Sequence, residues 1–240
     1  MRAYGKTDIG PRRPTNEDCY RLPEKGEKFA IVADGMGGHQ AGEVASAMAV
    51  EAFAAFMKKP FEDVEHHLKN ATLYANGSVY HASQADPAKA GMGTTLTALY
   101  LAGDDAYIAH VGDSRAYLMR NGAVMRITED HTLVEAMVLA GVITPAEARV
   151  HPQRNLITRS LGNGAMVEVD VLHLDHRPGD VWMLCSDGLS NHMTERQISR
   201  ILNSEASWQE KADRMVEMSI ENGTTDNTTC VIVTDEEEAE

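Results

Sequence analysis

Hydrophobic positions change period several times along the chain, and each change marks an element. Residues 2–8 predict a first strand, and residues 19–22 open a second after a Pro-interrupted loop. The run Phe29-Ala-Ile-Val-Ala33 is continuous and apolar, as expected of a short buried strand. Spacing then becomes helical over 41–58, where Val44, Ala45, Met48, Ala49, Ala52, Phe53 and Phe56 share a face and Pro60 is the stop. A second helix is expected over 61–85, with Val64, Leu68, Ala71, Ala75 and Val79 on one side and His66, His67 and His81 on its surface. As adjacent residues, His66 and His67 share no face that could hold a metal.

Strands return at Met92. Residues 93–101 and 105–111 flank a Gly-Asp-Asp turn, and 115–119 pairs with 123–127 across Asn121-Gly122, a strong hairpin signal. Helical patches at 133–140 and 145–150 lead into a polar stretch at 151–160, long enough to act as a lid or binding loop. Further strands are expected at 167–174, 181–185 and 230–234, and helices at 194–203 and 207–221, the first opened by the capping-box pair Thr194 and Gln197. No linker interrupts the pattern, so residues 1–234 read as one domain, followed by the acidic tail Asp235-Glu-Glu-Glu-Ala-Glu240.

A net charge of -14 and the lack of Lys/Arg clusters argue against nucleic acid as a partner. The same charge suits a cation-binding cleft, and equally it suits simple solubility. With no signal pattern and no apolar run near the roughly 20 residues that span a bilayer, the reading is a cytoplasmic protein without membrane contact. Cys19, Cys185 and Cys230 form no C-x-x-C pair and are expected to be reduced core residues.

Candidate chemistry sits where strands stop. The Phe29 run ends in Asp34, followed by Gly35, Gly37 and Gly38. A carboxylate there is costly to desolvate without a partner, and a cation is the simplest one. The glycines let backbone carbonyls approach a ligand. A strand-to-helix turn with a solvated Asp explains the stretch equally well. Ser186-Asp-Gly188 repeats the pattern, Asp226 borders the last strand, and Asp113 lies in the tight connection Val111-Gly-Asp-Ser-Arg115. Arg13 stands near Glu17 and Asp18, where a guanidinium can hold a phosphate beside a metal-binding acid, although a loop salt bridge is the commoner reason for such neighbours. If two sheets stack, their rim loops gather these acids, and an all-carboxylate cluster stays ionised only with cations. Oxygen donors select Mg²⁺ or Mn²⁺, and two such ions about 3.5 to 4 Å apart can activate a water for in-line attack on phosphorus. A calcium-stabilised or purely structural cluster is the alternative, without any D-x-[DN]-x-[DN]-G loop to support it.

Arg13 with Asn16-Glu-Asp18, Asp34-Gly-Met-Gly-Gly38, Gly93-Thr-Thr95, His110-Val-Gly-Asp-Ser-Arg115, Asp130-His-Thr132, Ser186-Asp-Gly188 and Asp226-Asn227 occur in one order. From about residue 4 to 234 that ordered set resembles the metal-dependent PPM/PP2C family of serine/threonine protein phosphatases, in its compact bacterial form. The resemblance implies an α+β fold, a four-layer α-β-β-α sandwich of two antiparallel β-sheets flanked by helix pairs, with a two-metal Mn²⁺ or Mg²⁺ centre at one rim. By motif position Asp34 bridges both ions, Gly35 offers its carbonyl to one, Asp187 and Asp226 complete the other, and Asp18 assists through water. Asp113 with Asp187 matches the place of a third, weaker ion in several bacterial members. Arg13 matches the phosphate-binding arginine, and 138–160 matches the flap beside the substrate cleft. The nucleophile is then the metal-bridging water, without a covalent phosphoenzyme.

Eukaryotic members resemble Asp-Gly-His where this chain has Met36, so the proton for the leaving oxygen stays open between His39, His151 and metal-bound water. Both histidines are candidate substrate contacts. Gly-Thr-Thr precedes Asp226 in place of the more usual glycine-rich loop. Implied partners are phosphorylated proteins, namely a serine/threonine kinase and its substrates, met by a monomer. The rival reading is a catalytically silent, phosphoprotein-binding regulatory module. Such a member is expected to have lost an acid, and Asp34, Asp187 and Asp226 are all present.

Overall fold

The computed structural model describes residues 1–37 and 41–235. Gly38, His39 and tail residues 236–240 lie outside the described residues.

Alternation along the strands decides the layering. In β3 (Phe29–Met36), Phe29, Ile31 and Ala33 point to one side, while Ala30 and Val32 point to the other. Both sides are buried, so this strand sits inside the molecule. It belongs to a sheet ordered β2 (Asp18–Arg21), β3, β5 (Leu96–Ala102), β6 (Asp105–Val111) and β9 (Asp170–Asp175), with β4 (Gly93–Thr94) also on β3. A second sheet runs β1 (Arg2–Asp8), β11 (Thr228–Thr234), β10 (Val181–Cys185), β7 (Arg115–Arg120) and β8 (Ala123–Arg126). Every pairing in both is antiparallel.

Between the sheets, Val32, Leu99 and Ile108 meet Leu118, Trp182, Leu184 and Val231. Burial of each large side chain there contributes about 1.5–3 kcal/mol. Trp182 is fully buried, and its Nε1–H donates to His176 Nδ1 at 3.2 Å, which satisfies its polar edge. Outside the first sheet pack α1 (Ala41–Met57) and α2 (Val64–Ala85), whose Ala45, Ala49, Phe53, Leu68 and Ala75 meet Phe29 and Ile31. Outside the second lie α6 (Glu195–Leu202) and α7 (Trp208–Glu221), with Ile198, Met215 and Val216 on Met183, Cys185 and Ile232. The result is the expected four-layer α-β-β-α sandwich of the α+β class.

Three local differences stand out, the first two with clear causes. β3 runs on through Asp34 to Met36, because β4 pairs with Gly35 and Met36 and extends it. Second, α2 begins at Val64, capped by Asp63, whose Oδ1 accepts from His66 N–H at 3.0 Å, and Phe61 therefore folds back onto the helix. His67 is consequently not a surface residue: it is 6% exposed and stacks on Phe61 at 4.0 Å. Third, strand pairing near 167–174 starts only at Asp170, and a short helix, α5 (Asp187–Ser190), follows β10 directly. The 138–160 segment carries the end of α3 (Leu133–Leu139) and all of α4 (Pro145–Val150), the latter opened by a Thr144/Glu147 capping box. No helix of the described residues is long and apolar enough to cross a membrane.

Candidate active site

Strand register brings the first two acids together. β2 pairs with β3 so that Asp18 lies directly opposite Asp34, an arrangement that like charges disfavour. Asp187 opens α5 at the end of β10, Asp226 precedes β11 beside it, and Asp113 sits in the 112–114 connection between β6 and β7. All converge in one field. Burial pushes the Asp34 carboxyl well above its ordinary range, and the charges of Asp18, Asp187, Asp113 and Asp226 add to that, in this order. Burial likewise pushes Asp18 up to about 7, against the lowering effect of hydrogen bonds from Thr229 and Ser186. Asp113 is raised by burial and then by Asp187, and Asp187 by burial and then by Asp226.

Hydroxyls and amides hold this cluster. Asp18 Oδ2 accepts from Ser186 Oγ and Thr229 Oγ1, each at 2.7 Å. The Asp34 amide donates to Thr95 Oγ1 at 2.8 Å, and its carbonyl accepts from Thr95 N–H and Thr94 Oγ1, each at 2.9 Å. Thr95 Oγ1 continues to Ser114 Oγ at 2.7 Å, next to Asp113. Gly35 is required by packing: a Cβ would meet the carbonyl of Gly42 and, at 2.6 Å, that of Glu17.

Among the described residues, two buried oxygens, Asp18 Oδ1 and Asp113 Oδ1, have no hydrogen-bond partner. Such orphans are costly in a folded protein, and a hard cation is the partner that oxygen-only donors suit. Among the described residues no three His, Cys, Asp or Glu side chains close into a ready ligand shell. Oxygen donors that share a shell with water suit Mg²⁺ and Mn²⁺, whereas a structural Zn²⁺ site closes with protein ligands. The residues present therefore fit such ions.

Arg13 is placed differently from a free phosphate clamp. Its Nη2 donates to Asp226 Oδ2 at 2.6 Å and its Nη1 stands 3.8 Å from Glu17 Oε2, with the side chain 43% exposed. His151 is half-buried, its Nδ1 accepts from Gln153 N–H at 3.1 Å, and among the described residues no hydrogen bond or ion pair joins it to the acids. Sequence reasoning considered Glu17 only as an acid beside Arg13 and left Asn227 and the hydroxyl scaffold without a structural role. The amide N–H of buried Glu17 donates to Asn227 Oδ1 at 2.8 Å, while Asn227 Nδ2 donates to the carbonyls of Ile9 and Thr15 at 2.8 and 3.0 Å. That ties the Arg13 loop to the Asp226 loop, a pairing that the motif residues Glu17 and Asn227 do not reveal by themselves.

A sequence model of the protein phosphatase 2C family matches residues 14–226. The chain belongs to the protein phosphatase 2C family. The serine/threonine phosphatase stp of Listeria innocua serovar 6a is 38% identical to it over 240 residues, which covers 97% of this chain and 95% of that protein. PstP, a serine/threonine protein phosphatase of Mycobacterium tuberculosis, is 40% identical over 233 residues, covering 97% of this chain and 44% of that protein. The catalytic domain of PstP, solved in complex with 2 manganese ions, superposes with a TM-score of 0.87 at 38% identity, covering 96% of each chain. This protein phosphatase 2C member is therefore an enzyme, a phosphoprotein phosphatase, and the acid-lined rim is its candidate active site.

Proposed function

We propose that the chain hydrolyses phosphoserine and phosphothreonine esters of proteins at a two-ion Mn²⁺ or Mg²⁺ centre on this rim. The observation that carries it is the convergence of Asp18, Asp34, Asp113, Asp187 and Asp226 in one electrostatic field, with a buried oxygen of Asp18 and one of Asp113 unpartnered among the described residues, in a chain similar to a phosphatase solved with 2 manganese ions. Asp34 would hold both ions, Asp187 and Asp226 one of them, and Gly35 would lend its carbonyl to the other. Asp18 would assist through water, and Asp113 with Asp187 would take a third. When bound, such ions neutralise the acids, polarise the phosphoryl oxygens and lower the pKa of water at the site.

The chain's own groups supply orientation. Arg13 reaches over the rim from a half-exposed loop, and a guanidinium shared with one carboxylate oxygen keeps donors for a phosphate. Arg13→Ala is expected to raise KM for a phosphothreonine peptide about tenfold with a smaller loss in kcat, the pattern of a lost binding contact in steady-state kinetics. We assign substrate contact also to His151 and His39, on their positions in the chain. Residues 1–234 would act as one unit and as a monomer in the cytoplasm, on phosphoproteins made by a serine/threonine kinase. A silent binding module gains no support, since every acid of the set is present.

Phosphate release from a phosphothreonine and a phosphotyrosine peptide, with Mn²⁺ or with EDTA, tests the reading. Mn²⁺-dependent release that prefers phosphothreonine is the expected result. A folded, Mn²⁺-loaded protein that releases none would refute it.

A further inference from the structure

Of Asp130-His-Thr132, two residues have plain structural roles. Asp130 grips Arg115, whose Nε donates to Oδ1 at 2.8 Å and Nη2 to Oδ2 at 2.5 Å, and Thr132 caps α3 by accepting from Glu135 N–H at 3.2 Å. His131 is engaged on every polar atom and is only 7% exposed. Its N–H donates to the Gly112 carbonyl at 2.8 Å, and its Nδ1 accepts from the Gly112 N–H at 2.9 Å. One side chain and one amide thus hold both polar groups of a glycine whose φ is +113°. A ring nitrogen that accepts from an amide is unprotonated, so the proton sits on Nε2, which donates to Asp170 Oδ2 at 3.1 Å.

From Asp170 the chain of contacts continues into the stem of the 138–160 segment. Asp170 Oδ1 accepts from Arg159 Nη1 at 2.5 Å, and Thr158 N–H donates to the His131 carbonyl at 2.8 Å. Farther along, Leu161 pairs both ways with Thr94, at 2.8 and 3.1 Å, and the Thr94 hydroxyl donates to the carbonyl of Asp34. The His110 ring lies tilted against His131, centroids 4.6 Å apart, but cannot replace it, because its own nitrogens are taken by Thr97 Oγ1 and the Glu129 carbonyl.

We propose that His131 is a positioning residue that latches the loop carrying Asp113 to the stem of the 138–160 segment, holding the acid rim and the segment beside it in one register. This rests on the phosphatase reading above. The two ring nitrogens serve the two halves separately: Nδ1 fixes the Asp113 loop, and Nε2 fixes the stem through Asp170 and Arg159.

Two substitutions separate those halves. In His131→Asn the amide oxygen falls where Nδ1 lies and keeps an acceptor for Gly112 N–H, but residue 131 no longer reaches Asp170. His131→Gln places an amide nitrogen near Nε2 for Asp170 and removes the acceptor for Gly112. With Mn²⁺ and a phosphothreonine peptide, the Asn variant is expected to raise KM about fivefold, more than it lowers kcat, and the Gln variant to lower kcat about tenfold, more than it raises KM, each near the worth of a lost hydrogen bond. Deuterium exchange gives a readout independent of turnover. Protection at 154–161 should fall in the Asn variant and protection at 110–115 in the Gln variant.

Variants that match wild type, or that lose kcat and KM in the same proportion with exchange rising uniformly, would overturn the latch and leave the phosphatase reading standing. A wild type without Mn²⁺-dependent turnover would instead sink that reading, and the positioning role of His131 in it.

Discussion

Asp34→Asn is expected to lower kcat by about a thousandfold, roughly 4 kcal/mol, which is the scale of transition-state charge stabilisation that bound metal ions supply. The backbone around Asp34 gives no reason to expect unfolding. Its amide and carbonyl are held by Thr95 and Thr94, and those bonds do not involve the side chain. Asn preserves the shape of the side chain and removes one buried charge from a field already crowded by Asp18, Asp187, Asp113 and Asp226. Relief of that repulsion should keep the melting temperature of the EDTA-treated variant at or above that of wild type. Lost turnover in a protein that is not destabilised is a combination a damaged fold cannot give. Asp187→Asn should behave alike, because its carboxyl is raised by the same burial and by Asp226. Full activity in either variant would remove these acids from the chemistry.

The layers were legible from the sequence wherever one face decided the fate of an element. The run at Phe29, the face at Val44 to Phe56 and the Asn121-Gly122 hairpin each carry a periodicity that burial alone explains, and all appear as expected. Asp34, Asp187 and Asp226 were visible for a related reason, since an acid beside an apolar strand is conspicuous. Partner choice was not visible. Ser186 and Thr229 bind Asp18 across more than 160 residues of chain, and which hydroxyl meets which acid follows from sheet stacking rather than from any local pattern. His67 was misplaced for the same reason: its burial depends on where Phe61 turns back, which a cap at Asp63 decides. Arg13 shows a further limit. Its phosphate role comes from motif position, whereas the structure rests it on Asp226, a pairing between opposite ends of the chain.

Mn²⁺ should oppose the pH dependence of stability, and the sign follows from the acids themselves. Burial holds Asp18 at about 7 in the folded protein, and a carboxyl in the unfolded chain titrates near 4, so between these values the folded state binds more protons. The stabilisation is full below about pH 4 and is lost as pH rises through the folded value; Asp34 and Asp113 shift the same way. His110 and His131, both lowered by burial, act in the opposite sense, but only below the ordinary histidine range of about 6.5. From about pH 6.5 to about pH 8 the carboxyls therefore dominate, and the EDTA-treated protein should melt at a lower temperature at the higher pH. Mn²⁺ competes with those protons, so its affinity and the stabilisation it gives should grow over the same interval. At a hundredfold excess over Kd the gain is about 2.7 kcal/mol, roughly 5–10 °C for a domain of this size. The gap between Mn²⁺ and EDTA melting curves should thus widen from pH 6.5 to pH 8, and Asp34→Asn should narrow it at both. If Mn²⁺ left the melting temperature untouched at either pH while the downward slope persisted, the acids would be a buried, proton-sharing cluster with no metal role.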